Sequence, residues 1–306
     1  MTKNRVSRLL SVLLALTSLW GFACAHAEQA PLRVVTTTAM IADMVTGIGG
    51  ERVEVRALMG SGVDPHVYRV SFGDIQRLNG AELIVYNGLH LEGRMGQVLE
   101  RMARKRPVHA LGEALPAARL IAVDDAGAHD PHIWFDLRLW REAGEALLER
   151  LIALRPEDAS LFRTRAAAYF ARLDALDARI RQDIASLPEN QRLLVTAHDA
   201  FAYFGRAYGM EVVGLQGIST ASEFGLADLR RVRQIVASRG VKAVFIESSV
   251  PPRFIESLLA GLESAGQPVR LGGELFSDSM GPAGTPEGQY FGMVEHNLHT
   301  ILEALQ

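Results

Sequence analysis

The chain has 306 residues, 48% of them hydrophobic and 22% charged, with 28 Gly, 12 Pro, nine His, one Cys and a formal charge of -3. That length exceeds one ordinary core and points to two domains. A single Cys excludes an intramolecular disulfide and any multi-thiolate metal or iron–sulfur site, and the lack of a basic stripe argues against nucleic acid as a partner. At the N-terminus, Lys3, Arg5 and Arg8 precede an apolar run from Leu9 to Leu19 and then the small-residue stretch Ala23-Cys24-Ala25-His26-Ala27. A charged start, a short apolar run and an A-x-A site make a secretory signal peptide. Cleavage after Ala27 is expected in preference to lipidation at Cys24, because Gly21 stands where lipoprotein signals usually carry Leu. No later stretch approaches the roughly 20 apolar residues of a transmembrane helix.

From Leu32 onward, β-branched runs alternate with helical patterns. Strands are expected at Arg33 to Thr37, Val53 to Leu58, Glu82 to Tyr86 and, weakly, near Val108, with helices clearest at Arg94 to Arg104 and Leu137 to Leu154. Next come Phe162, Ala166, Tyr169, Leu173, Leu176, Ile180, Ile184 and Leu187, a helical stripe without a break, with Pro156 just inside its start and Pro188 just past its end. A second series of strands follows at Leu193 to Thr196, Val212 to Leu215, Ala243 to Glu247 and Val269 to Leu271. Alternation of this kind predicts an α/β protein of two similar halves, each with a parallel sheet of four strands. The uninterrupted stripe predicts one long rigid helix between them. The expected organisation is residues 1–27 as signal peptide, 28–155 as an N-terminal α/β domain, 156–188 as the linking helix and 189–306 as a C-terminal α/β domain.

Asp64-Pro65-His66 recurs as Asp130-Pro131-His132, and each copy lies after a strand region and before a helical one. Each His is therefore expected near the carboxyl edge of a parallel sheet, where α/β folds place ligand sites. Pro fixes the backbone ahead of the ring, and the Asp is placed to accept a supporting hydrogen bond. The second half offers His198, after the strand Leu193 to Thr196 and opening a helix from Asp199 to Tyr208, and Asp278, just past the last strand. Three imidazoles and a carboxylate, two from each half, suit a divalent cation in the cleft between them. Taken singly, each His reads more readily as a surface or hydrogen-bonded loop residue than as a ligand, and Asp278 as a turn or cap residue. Spacing alone leaves both readings open.

Several segments carry a resemblance. Asp64-Pro65-His66-Val67-Tyr68, Asn87-Gly88-Leu89, Asp130-Pro131-His132-Ile133-Trp134-Phe135-Asp136, Thr196-Ala197-His198-Asp199-Ala200-Phe201, Phe245-Ile246-Glu247-Ser248-Ser249 and Gly272-Gly273-Glu274-Leu275-Phe276-Ser277-Asp278-Ser279 resemble the zinc/manganese-binding solute-binding proteins of bacterial ABC transporters. The likeness runs through essentially the whole mature chain. It implies two βα domains bridged by one long helix, metal held at the domain interface, and His66, His132, His198 and Asp278 as its four ligands. It also implies Zn2+ as cargo, with Mn2+ the other candidate, since manganese-tuned members commonly carry Glu in place of His198. The short stretch from Val123 to Asp130, with one extra His, departs from the His-rich loop of many zinc-specific members.

Other residues rank lower. His90 reads first as a surface residue, and His296 with His299 as a solvated pair on the last helix. Glu247 is expected to support a ligand rather than serve as one, and Trp134 to pack near the site. The function that follows is a periplasmic, monomeric carrier that is not an enzyme. It takes up a divalent metal and hands it to an ABC permease in the inner membrane. The competing readings are a secreted zinc hydrolase using Asp199 or Glu247 as base, against which no H-E-x-x-H motif is found, and a metal-binding surface adhesin.

Overall fold

The computed structural model describes residues 30–123, 127–222 and 225–306. The expected signal peptide, Cys24 and the acidic residues 124–125 lie outside them. Four strands, β1 (Leu32–Thr36), β2 (Val53–Ala57), β3 (Leu83–Tyr86) and β4 (Val108–Ala110), form a parallel sheet in the order β2-β1-β3-β4. The crossovers carry α1 (Ala39–Gly49), α2 (Phe72–Gly80) and α3 (Gly93–Ala103). The central strand β3 is the run Leu-Ile-Val-Tyr, buried at every position, as a strand covered on both faces must be. Val35, Ile84 and Tyr86 meet Leu78, Met95 and Leu99 on one face, while Leu32, Val34, Leu83 and Val85 enter the main core on the other.

Two helices follow. Asp136 caps α4 (Leu137–Leu154) by accepting the Arg138 and Leu139 amides, and α5 spans Ala159–Ala185. The 27 residues of α5 span about 40 Å at 1.5 Å each. A short 3-10 turn beginning at Pro156 starts it, and Pro188, which cannot continue a helix, lies just beyond its end. Its stripe from Phe162 through Leu173 to Ile184 is buried. It packs on α1 and α4 of the first half and, in the second, on α6 (Ala202–Tyr208) and α9 (Tyr290–Leu305). One apolar cluster consequently runs from Leu32 to Leu305 through both halves. Among the described residues no helix is long and apolar enough to cross a membrane.

The second half contains β5 (Leu193–His198), β6 (Glu211–Gln216), α7 (Leu226–Arg239), β7 (Ala243–Glu247), α8 (Arg253–Ser264) and β8 (Arg270–Leu275). Here the expected four-stranded sheet is found as two parallel pairs, β5 with β6 and β7 with β8. Strands β5 and β7 lie side by side, so the spatial order is β6-β5-β7-β8. At the carboxyl end of that junction a side chain replaces ladder bonding, since the Glu247 carboxylate accepts the His198 amide at 2.8 Å. A second difference concerns His198, which ends β5 opposite Gln216 instead of opening a helix; α6 starts four residues later. Gly214 on β6 explains the extension, because a Cβ there would stand 2.6 Å from the Asp199 nitrogen. Close approach of β6 holds the chain extended through His198.

Candidate metal centre

His66 lies in the loop between β2 and α2, His132 between β4 and α4, His198 at the end of β5, and Asp278 just after β8. All four arrive at the carboxyl edges of the two sheets, where the chain leaves the strands and backbone groups are free to turn. Their nearest donor atoms lie within 4.8 Å of one another. The Asp278 carboxylate stands 3.2 Å from His198 Nε2, 3.3 Å from His132 Nε2 and 3.6 Å from His66 Nε2, and the last two nitrogens are 3.4 Å apart. A tetrahedron with metal bonds of about 2.0–2.1 Å has edges of about 3.3–3.4 Å. These separations therefore frame a space of metal-ion size.

The four side chains are buried, with His132 and His198 at 0% exposure and His66, the most accessible, at 7%. His198 Nε2 and both Asp278 oxygens have no hydrogen-bond partner. Unpaired buried polar atoms are costly, and these three, brought together from the ends of β5 and β8, are satisfied together by a cation.

Different supports hold the rings. In both tripeptides the Asp accepts the amide of the His two residues on, at 2.9 Å for Asp64 and 2.8 Å for Asp130. Asp130 also meets His132 Nδ1 at 2.7 Å, which leaves Nε2 facing the centre. Glu247 holds His198 in the same way, 2.5 Å from Nδ1. Asp64 instead takes the Thr220 hydroxyl of the second half at 2.5 Å on its other oxygen. Trp134 walls the centre with its ring 5.3 Å from that of His132, and its indole donates to the Ser277 carbonyl at 3.0 Å. Asn297 of α9 pins the turn before Asp278 by bonding both the amide and the carbonyl of Phe276.

The electrostatics follow from this arrangement. Burial works against a charged His132, but Asp130 and Asp278 outweigh it and push the ring up to about 9. His198 is treated likewise: burial opposes charge, yet Glu247 and Asp278 hold its pKa well above the ordinary value. Asp278 is buried too, and the His198 and His132 rings keep its carboxyl well below the usual range. Burial drops His66 to about 4, although Asp278, 3.6 Å from its Nε2, pulls the other way. A cation entering here would find one neutral ring, one ionised carboxylate and two rings that must give up protons.

The structure brings together all four residues singled out from the sequence. Glu247 supports His198, and Trp134 both packs and lines the centre. His90 stays outside, on the rim of a cavity of about 510 Å³ shared with His66, His129 and Asp199. The pair on α9 does not converge on any centre: His296 Nε2 meets the Glu274 carbonyl at 3.0 Å, and His299 faces Glu303 at the surface. Sequence reasoning missed Thr220 and Glu92. Glu92 is 1% exposed and burial pushes its carboxyl up to about 7. Its only visible signal was its place in the stretch after Asn87-Gly88.

Fold and donor set define a helix-bridged α/β protein with a site able to hold one divalent metal ion. Residues 34–304 match the family described as zinc-uptake complex component A, periplasmic, and the chain belongs to that family. It is 47% identical to the zinc-binding protein TroA of Treponema pallidum over 296 residues, covering 97% of this chain and 96% of that one. It is 42% identical to the manganese-binding lipoprotein MntA of Bacillus subtilis over the full length of both. The solved structure of Treponema pallidum TroA superposes with a TM-score of 0.88 at 48% identity, covering 90% of this chain and 99% of that one.

Proposed function

We propose that this chain is a periplasmic solute-binding protein that captures Zn2+ or Mn2+ through His66, His132, His198 and Asp278 and delivers it to an ABC-type permease in the inner membrane. The observation that carries this reading is the convergence of three imidazole nitrogens and one carboxylate, all buried, on one point between the carboxyl edges of the sheets. Four protein donors complete a tetrahedral sphere, whereas a zinc hydrolase keeps one position open for activated water. We therefore assign capture without turnover. A second Asp278 oxygen offers a fifth bond, which accommodates Mn2+ beside Zn2+, in keeping with relatives named for either metal.

The protein acts as a monomer, with lobes at residues 28–155 and 189–306 and the segment 156–188 between them. It reaches the periplasm through the signal segment 1–27. Whether that segment is cut before Glu28 or the chain is anchored through Cys24, as the name of the Bacillus relative invites, is read from the mass of the mature N-terminus. The functional test is metal uptake by cells that carry the cognate permease. Radiolabelled Zn2+ or Mn2+ accumulates only when the chain is present and fails to accumulate with His198→Ala. Uptake indifferent to the chain, with ester or peptide turnover by the zinc-loaded protein, would contradict the proposal.

A further inference from the structure

Both Asp-Pro-His loops of the first half rest on the short segment between β3 and α3. From below, Asn87 Nδ2 donates to the Pro131 carbonyl at 2.9 Å, bonding the peptide that leads into His132. From the side, Gly93 abuts the His66 backbone so closely that a Cβ would stand 2.5 Å from the His66 carbonyl oxygen. Between these two points the chain runs through Gly88, Leu89 and His90 with φ of 76, 53 and 65°. Such a run of left-handed backbone, two residues of it carrying side chains, persists only where surrounding structure imposes it.

Glu92 supplies that imposition. One of its carboxylate oxygens accepts the Asn87 amide at 2.7 Å and the Thr37 hydroxyl at 2.8 Å, and the other accepts the Gly88 amide at 3.1 Å. These donors come from the carboxyl ends of β1 and β3, so the carboxylate ties the segment to the two central strands of the sheet. Glu92 stands at the N-terminus of α3, yet its side chain makes no capping bond there. It turns back to the strand ends instead. A buried carboxylate without a cationic partner is an expensive way to fill space. The three donors and the two rigid neighbours account for its presence.

We propose that Glu92 is a positioning residue for metal binding: through Asn87 and Gly93 it sets the spacing between His132 and His66. The proposal rests on the metal reading above and deepens it. Glu92 touches no ligand ring itself, and its effect passes through the backbone of both loops. Because His66 and His132 Nε2 lie 3.4 Å apart, a shift of a few tenths of an ångström at either loop detunes the centre.

The test compares full-length wild-type protein, Glu92→Gln and Asn87→Ala with Leu99→Ala, a core truncation within α3 itself. Each is stripped with chelator, titrated with Zn2+ against a chromophoric competitor, loaded with Co2+ for its visible absorption, and melted. Supporting residues of this kind change metal affinity by about 10–100-fold. Glu92→Gln, whose amide NH2 opposes the donors, and Asn87→Ala should each weaken Zn2+ binding in that range and alter the Co2+ band. The double variant should lose little more than the worse single one, because both cut the same chain of contacts. Leu99→Ala should melt earlier with its affinity and spectrum unmoved. Should Glu92→Gln fail to fold, Asn87→Ala, which leaves the Glu92 bonds in place, decides alone. Wild-type affinity and an unaltered Co2+ band in the folded variants overturn the proposal, as does an equal loss in Leu99→Ala. A wild-type chain that binds no metal ends the functional reading itself, a result distinct from either.

Discussion

Loading the metal-free protein with Zn2+ at pH 7 should release about two protons per ion. Two rings and their carboxylates decide the number. With His132 pushed up to about 9, its proton is held about two pH units above neutrality, and displacing it costs about 3 kcal/mol. His198 is shifted in the same direction by Glu247 and Asp278 against the opposing effect of burial. His66, lowered by burial to about 4, is already neutral, and Asp278, held low by the two rings despite burial, is already ionised. Neither contributes a proton. His132 alone then lowers apparent affinity about fiftyfold between pH 9 and pH 7. Calorimetric titrations in three buffers of different ionisation enthalpy read the number directly, as the slope of observed heat against buffer heat. A slope near zero would refute the reasoning, because it would mean that Asp130 and Glu247 do not charge the rings they hold.

Three further outcomes follow from the same geometry. Glu247→Gln removes the carboxylate 2.5 Å from His198 Nδ1 and should weaken Zn2+ binding by about 10–100-fold while the fold survives; an unchanged competition titration would contradict this. The pKa of His132 is raised on folding from an ordinary 6.5 to about 9, so its contribution to stability is full below pH 6.5 and lost as pH rises through 9. Melting of the metal-free protein should accordingly occur at lower temperature at pH 9 than at pH 6.5, with the difference reduced in His132→Ala and the remainder carried by His198, which is raised in the same direction. Leu173→Ala empties a buried position on α5 and should cost about 2–5 kcal/mol in urea unfolding. A loss below about 1 kcal/mol would show that the linking helix is not part of the shared core.

The sequence pattern located all eight strands to within a few residues: β3, β5 and β7 are buried apolar runs, whereas β2, β4 and β8 are partly exposed and were legible from their place between helical segments. Helix α5 was legible because its apolar stripe from Phe162 to Ile184 meets both halves and runs without a break. The repeated Asp-Pro-His pointed to two ring positions, since Pro and the Asp carboxylate act within three residues of the His they orient. Contacts made across the fold were less legible. His198 looked like the start of a helix because nothing nearby shows that Gly214, sixteen positions on, lets β6 approach and keep the chain extended. Thr220 carries no local mark of its bond to Asp64, 156 residues away. Glu92 reads as an ordinary charged residue at a helix start until the strand ends that donate to it are brought alongside. The pairing of β5 with β7 through a carboxylate is likewise a property of three-dimensional neighbours.

The central claim is that His66, His132, His198 and Asp278 together bind one metal ion. Elemental analysis of chelator-stripped protein, reloaded with excess Zn2+ and desalted, tests it most directly when run beside the four single alanine variants. The account predicts one Zn2+ per wild-type chain and, under the same desalting, far less than one in each folded variant. Retention of one ion per chain in the His132→Ala and Asp278→Ala proteins, or of none in the wild type, would contradict it.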